Sequence, residues 1–204
     1  MPNPTFPYGE REIAHLSRKD KKLGELIART GMIAREVHPN LFESLVSSIV
    51  SQQISSRAAE TVWNRLGGLL GEITPENILA AADDEIQKCG LSHRKVSYIC
   101  GIAQMAADGG IDFDKLPSLP DDEVIRQLVK LRGVGVWTAE MLLIFTLGRP
   151  DIVSYDDLAI RRGMMTLYGL KELGREQFEK YRKRYSPYGT TASLYLWQIS
   201  HEQA

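Results

Sequence analysis

Cysteine is nearly absent from this 204-residue chain, which holds only Cys89 and Cys100. Two thiols exclude a disulfide framework and a four-thiolate metal site, and they read as inert core residues in a reducing compartment. Long apolar runs are missing too, since none approaches the ~20 residues that span a bilayer. The opening segment, MPNPTFPYGEREI, lacks the basic n-region and apolar h-region of a leader. The expectation is a protein with no membrane role, cytoplasmic or, in a eukaryote, nuclear, and not secreted. An excess of one charge is also lacking: 25 Lys and Arg face 26 Asp and Glu, for a formal charge of −1. A polyanionic partner is therefore not announced globally, and any surface for one must be a local patch. Alternating strand patterns are almost absent, which excludes sandwiches and barrels.

What remains is helical. The 43% of hydrophobic residues suffice for an ordinary core, and they recur at spacings of three and four between Gly, Pro and capping residues. Asn40 and Glu43 form a capping-box pattern before Phe42, Leu45, Val46, Ile49 and Val50, which share one face. That helix ends in the polar break Ser51-Gln52-Gln53-Ile54-Ser55, ahead of a second helix with Ala58, Ala59, Val62, Trp63 and Leu66. Thr74-Pro75 reads as N-cap and N1 proline, and Ser92 caps a helix running toward Gly109-Gly110. A helix from Asp121 leads into Arg132-Gly133-Val134-Gly135, and Trp137 to Leu147 is helical again. Two or three more helices follow Asp156-Asp157. The expected fold is all-α, a single domain in three stretches: an N-terminal helical segment at 1–39, a lobe at 40–120 and a second region at 121–204.

The stretch Arg132-Gly133-Val134-Gly135 places two glycines at the mouth of a helix, where free N–H groups can hold a phosphate. By itself such a pair is equally a tight turn between core helices. About one helix and one loop later comes Asp157, which is either a plain helix cap or a functional carboxylate. Basic residues at Arg161, Arg162, Lys180, Arg182, Lys183 and Arg184 read as solvated helix faces, with no single phosphate contact assigned.

Three stretches together carry a family resemblance: Ser48 through Ser55, the hairpin with Trp137-Thr138-Ala139, and Ser154-Tyr155-Asp156-Asp157, with a weaker fourth at Pro187 through Trp197. In these the chain resembles the helix-hairpin-helix DNA glycosylase superfamily. It is most similar to the alkylation-repair branch, the 3-methyladenine DNA glycosylase II or AlkA type, in a compact form without the N-terminal β domain. The resemblance implies two helical lobes with the active-site cleft between them. It also implies a monofunctional enzyme that flips an alkylated base, such as 3-methyladenine or 7-methylguanine, out of duplex DNA and hydrolyses its N-glycosidic bond in base excision repair. Alternatives are another lesion (hypoxanthine, uracil or etheno-adducts) or a non-catalytic DNA-binding module. The implied partner is double-stranded DNA containing damaged bases, bound by a monomer.

Carried over residue by residue, the resemblance makes Asp157 the catalytic carboxylate facing an oxocarbenium-like sugar. It makes Trp137, Trp197, Glu140 and Met141 base-pocket positions, though either tryptophan is also a natural core residue. Gln53, with Gln52 and Ile54, matches the turn that fills the gap left by the flipped base, unless the two glutamines only satisfy backbone groups. Arg132, Gly133, Val134 and Gly135 match the phosphate-binding hairpin. Backbone carbonyls of Val129, Leu131 and Val134 match a structural monovalent-cation site, and no other cofactor is implied. Trp137 stands where bifunctional relatives carry a Schiff-base lysine, and two cysteines cannot ligate an iron–sulfur cluster. The chain departs from the AlkA type at Glu140 and Met141, and at Leu158, where the pattern has an amide and aromatics.

Overall fold

The structure is a computed structural model that describes residues 4–202. Twelve α-helices and one 3₁₀ turn follow one another, and no strand is present among the described residues beyond an isolated bridge between Thr5 and Glu36. The all-α expectation holds. No described helix is long and apolar enough to cross a membrane.

The chain divides into two compact units, one formed by His38–Leu142 and the other by the chain up to Val37 together with the chain from Leu143 onward. The central unit contains α3 (Leu41–Ser51), α4 (Ser56–Leu70), α5 (Pro75–Ala80), α6 (Asp83–Lys88), α7 (His93–Ala107) and α8 (Asp121–Leu128). Four of these helices, α3, α4, α5 and α7, start where a short polar side chain replaces a missing hydrogen bond. Asn40 accepts from Glu43 N at 3.0 Å, Ser55 from Ala58 N at 3.3 Å, Thr74 from Asn77 N at 3.2 Å and Ser92 from Lys95 N at 3.3 Å. Leu41, Phe42, Leu45, Val46, Ile49 and Val50 of α3 are all buried, facing α4 and α7. Each such side chain contributes roughly 1.5–3 kcal/mol by leaving water.

The helix after the hairpin, α9 (Val136–Phe145), stops two residues short of the sequence reading. Gly148 takes a positive φ of 62°, and Arg149 N reaches back to Leu143 O at 2.9 Å. A glycine in this conformation closes a helix by using up its last carbonyls.

The other unit joins α1 (Glu10–Lys19) and α2 (Lys21–Thr30) to α10 (Leu158–Tyr168), α11 (Arg175–Tyr185) and α12 (Gly189–His201). From Gly189 through Trp197 every residue of α12 is buried, as expected of a helix surrounded by its neighbours. Gly163 lets α10 lie directly on it, since a Cβ there would run into the Leu196 backbone. The N-terminal helices are tied in by polar contacts. Asp20 caps α2 through Leu23 N at 3.1 Å, accepts from Tyr168 Oη at 2.6 Å and pairs with Arg184 at 3.2 Å. Tyr195 Oη donates to Gly31 O at 3.0 Å and meets Tyr8 Oη at 3.2 Å.

Candidate active site

Asp157 ends an extended loop and begins α10. Its backbone is non-helical (φ −79°, ψ 112°), and its Oδ1 accepts from Ile160 N at 2.9 Å, so the capping role read from the sequence is real. The same oxygen also accepts from the Trp197 indole N–H at 3.2 Å. Asp157 is only 8% exposed. A helix N-terminus and an indole N–H thus aim two donors at one oxygen of this buried carboxylate.

Trp197 is itself 7% exposed and stacks on Phe145, with ring centroids 5.5 Å apart. The loop leading to Asp157 is stitched to the first turns of α12. Thr190 Oγ1 donates to Arg149 O at 2.6 Å and accepts from Ile152 N at 3.0 Å, while Ser193 Oγ donates to Ile152 O at 2.9 Å. Asp151 accepts from Gly189 N at 3.0 Å and from the Ser186 hydroxyl. Carboxylate and indole are thus fixed by one buried helix.

The remaining named positions lie in the stretch up to Leu142. Trp137, Glu140 and Met141 fall at i, i+3 and i+4 on α9, hence on one face; Trp137 is 45% exposed and the other two are half-buried. Leu158, at 57%, is an exposed apolar side chain beside Asp157.

The two hairpin glycines are not equivalent, although the motif alone assigns both the same physical use. Gly133 has φ +88°, and a Cβ on it would collide with the Tyr98 ring. Gly135 has an ordinary φ and open space where its Cβ would lie, and its carbonyl accepts from Ala139 N at 3.1 Å. Nothing inside the protein therefore requires glycine at 135. Arg132 extends its guanidinium over Tyr98, 5.9 Å from the centroid, and Arg94 Nε donates to the Tyr98 hydroxyl at 2.5 Å.

At the end of α3 the Gln52 side chain donates to Gly133 O at 3.0 Å, which joins that turn to the hairpin. Gln53 is the one non-glycine residue with positive φ among the described residues, at 58°, and Ile54 beside it is 40% exposed. Lys95 Nζ donates to Val50 O at 2.7 Å and Gln52 O at 2.6 Å, satisfying carbonyls that the helix end leaves open. Burial pulls the Lys95 pKa down.

Phe145, Lys95, Tyr98, Asp151 and Gly163 were not singled out from the sequence. Gly163 carried a signal, a lone glycine inside a helical pattern; the others act on partners too distant in the chain for periodicity to show. The cysteines correct one expectation. Cys89 is buried, but Cys100 is only half-buried and donates to Asp83 Oδ1 at 3.5 Å. Burial is the chief cause that pushes its thiol up to about 11. Among the described residues no group of three or more His, Cys, Asp or Glu is placed to hold a metal ion.

A glycine hairpin thus opens one helix of this chain, and a buried aspartate caps the next. The chain belongs to the HhH-GPD superfamily of base excision DNA repair proteins, whose profile matches residues 46–187. Among individual relatives, it is 33% identical over 198 residues to DNA-3-methyladenine glycosylase 1 of Schizosaccharomyces pombe, covering 91% of this chain and 85% of that protein. Its structure matches the crystal structure of DNA-3-methyladenine glycosidase from Bacillus halodurans with a TM-score of 0.87 at 35% identity, over 97% of this chain and 92% of the other. It also matches the Schizosaccharomyces pombe 3-methyladenine DNA glycosylase Mag1 in complex with abasic DNA. There the TM-score is 0.80 at 32% identity, over 92% and 95% of the two chains.

Proposed function

We propose that the protein is a monofunctional DNA N-glycosylase that excises alkylated bases, such as 3-methyladenine and 7-methylguanine, from duplex DNA in base excision repair. The observation that carries this reading is Asp157, a buried carboxylate whose one oxygen is held by both a helix N-terminus and the Trp197 indole. The names of its relatives supply the substrate class. Cleavage breaks the bond between C1′ and the base nitrogen, and the electron pair leaves with the base. Water adds to C1′ and gives up one proton. Positive charge grows on the sugar as the bond lengthens, and a fixed carboxylate lowers the energy of that state without having to reorganise. An N-alkylated purine is already cationic, so the leaving group needs little help from an acid. Trp197 acts here by orienting Asp157.

Trp137 offers a partly exposed indole face to an electron-poor flipped base, and Glu140 and Met141 complete that face of α9. At the end of α3, Gln52 is committed to the hairpin carbonyl, which leaves Ile54 and Gln53 to fill the gap in the duplex; Ile54 supplies the apolar surface. Arg132, Gly133, Val134 and Gly135 hold a phosphate. A monovalent cation on the carbonyls of Val129, Leu131 and Val134 would be structural; the Leu131 carbonyl already accepts from Val134 N at 3.1 Å and would share its second lone pair. The chain acts as one glycosylase domain and as a monomer. With Trp137 at the lysine position, no lyase step follows base loss.

The test is incubation of the protein with methylated duplex DNA in the presence of a chelator, with released bases separated by chromatography. Free 3-methyladenine or 7-methylguanine is expected, with the abasic strand left intact. A folded protein that frees no modified base would sink the reading. Borohydride trapping of a covalent adduct would overturn its monofunctional part.

A further inference from the structure

Tyr155 lies in the loop just before Asp157, and its ring is fixed edge-on against buried Phe178 of α11, with centroids 5.1 Å apart. Two guanidiniums lie over this one ring: Arg161 of α10 at 5.1 Å from the centroid and Arg175 at the start of α11 at 4.8 Å. They are thus no more than about 10 Å apart. Neither forms an ion pair among the described residues, even though carboxylates are near in sequence. Glu176 pairs instead with Lys180 at 2.9 Å, and Asp156 is exposed. Arg161 Nε is closed off from solvent with no hydrogen-bond partner. Two like charges gathered on one aromatic, neither paired with a carboxylate, present guanidinium donors of the kind a phosphate accepts. The stacking removes much of the freedom that a long side chain otherwise loses on binding.

We propose that Arg161 and Arg175, seated on Tyr155, form a phosphodiester-binding site for the DNA backbone. It is separate from the hairpin and adjoins the residue that caps α10. The proposal rests on DNA being the partner and not on any base being excised. Such a site fixes the register of the strand and carries no sequence information.

The experiment is a salt titration of duplex binding, followed by fluorescence anisotropy, for the wild type and for Arg161→Gln, Arg175→Gln and the double variant. Each lost phosphate contact lowers the slope of log affinity against log salt by about 0.9. The double variant is expected to lose roughly one such unit, or two if each guanidinium takes its own phosphate, and to bind several-fold more weakly at low salt. Undamaged and abasic duplexes should be affected alike. Arg161→Lys with Arg175→Lys keeps both charges and should keep most of the slope. A folded double variant with the wild-type slope and affinity would overturn the proposal. If the double variant does not fold, the single variants are read in the same way. A wild type that binds duplex and releases no base would defeat the glycosylase reading alone. A wild-type slope in the variants of an active enzyme would defeat only this site.

Discussion

Replacing one atom of Asp157 separates its two roles. In Asp157→Asn the amide oxygen can still accept from Ile160 N and from the Trp197 indole, so the cap and the orientation survive while the charge is lost. Melting temperature should change little. Cleavage should fall by about 10²-fold or more, the scale of removing one preorganised electrostatic group. The loss should be smaller for cationic 7-methylguanine than for a neutral base, and single-turnover kinetics on both would measure it. Full activity in the folded variant would leave Asp157 as a cap only. The hairpin glycines offer a second test at the same scale. Gly133→Ala must hold φ +88° and push the Tyr98 ring away, so it should be destabilised by several kcal/mol, with strain of about 1–3 kcal/mol from the backbone alone. Gly135→Ala meets no atom of the protein and should fold normally. Duplex binding by Gly135→Ala should nevertheless weaken, on damaged and undamaged DNA alike, because only an approaching backbone would meet the added methyl. Thermal melts beside anisotropy would check both variants, and normal binding by Gly135→Ala would exclude close approach at that point.

Between elements, the distance that matters is the one Gly163 sets. Because α10 carries Asp157 at its start and α12 carries Trp197, a Cβ at 163 would force apart the two helices that hold the 3.2 Å bond between them. The obstructing group is the Leu196 backbone, which cannot turn aside as a side chain might. Gly163→Ala is therefore expected at the upper end of overpacking costs, about 3 kcal/mol, or a fall in Tm of roughly 6–12 °C. The surviving folded fraction should cleave more slowly, and a variant with wild-type Tm and rate would show that the helices can separate freely. Such contacts mark the limit of what the chain shows when read as a string. Helix starts at Asn40, Thr74 and Ser92 were legible because a cap acts within three residues, and the hairpin and Asp157 were legible because glycine and a capping carboxylate have local signatures. The Gln52 bond to Gly133 spans 81 positions, that of Lys95 to Val50 spans 45 and that of Trp197 to Asp157 spans 40. Periodicity carries information over about four residues, so it finds faces and not partners. The same reason hid Tyr155 beneath Arg161, which read as solvated surface, and Arg175.

For the molecule as a whole, pH is the simplest perturbation to predict. Tyr185 and Tyr195 have no solvent exposure, and burial chiefly raises both well above the usual phenol value, as it does for Tyr168 beside Asp20. Folded protein therefore keeps protons that unfolded chain gives up once pH passes about 10. Stability is fully present below that point and is lost as pH climbs, by about 1.4 kcal/mol per unit for each fully buried tyrosine. Urea unfolding at pH 9 and 11 should show a lower midpoint at 11, and Tyr195→Phe should flatten the dependence; an unchanged slope in that variant would discount Tyr195. The path of the chain through its two units has a consequence of another kind, for the order of events during synthesis. Residues 38–142 form an unbroken stretch that can complete its contacts as it leaves the ribosome. The N-terminal helices emerge earlier but must wait, since Tyr8 and Asp20 find Tyr195 and Tyr168 only after most of the chain is made. At 5–20 residues per second, α1 and α2 spend on the order of ten seconds with Leu16, Leu23, Leu26 and Ile27 unclaimed by the C-terminal helices. During that interval the charges along their outer faces, from Arg11 to Arg29, are what keeps the nascent segment soluble.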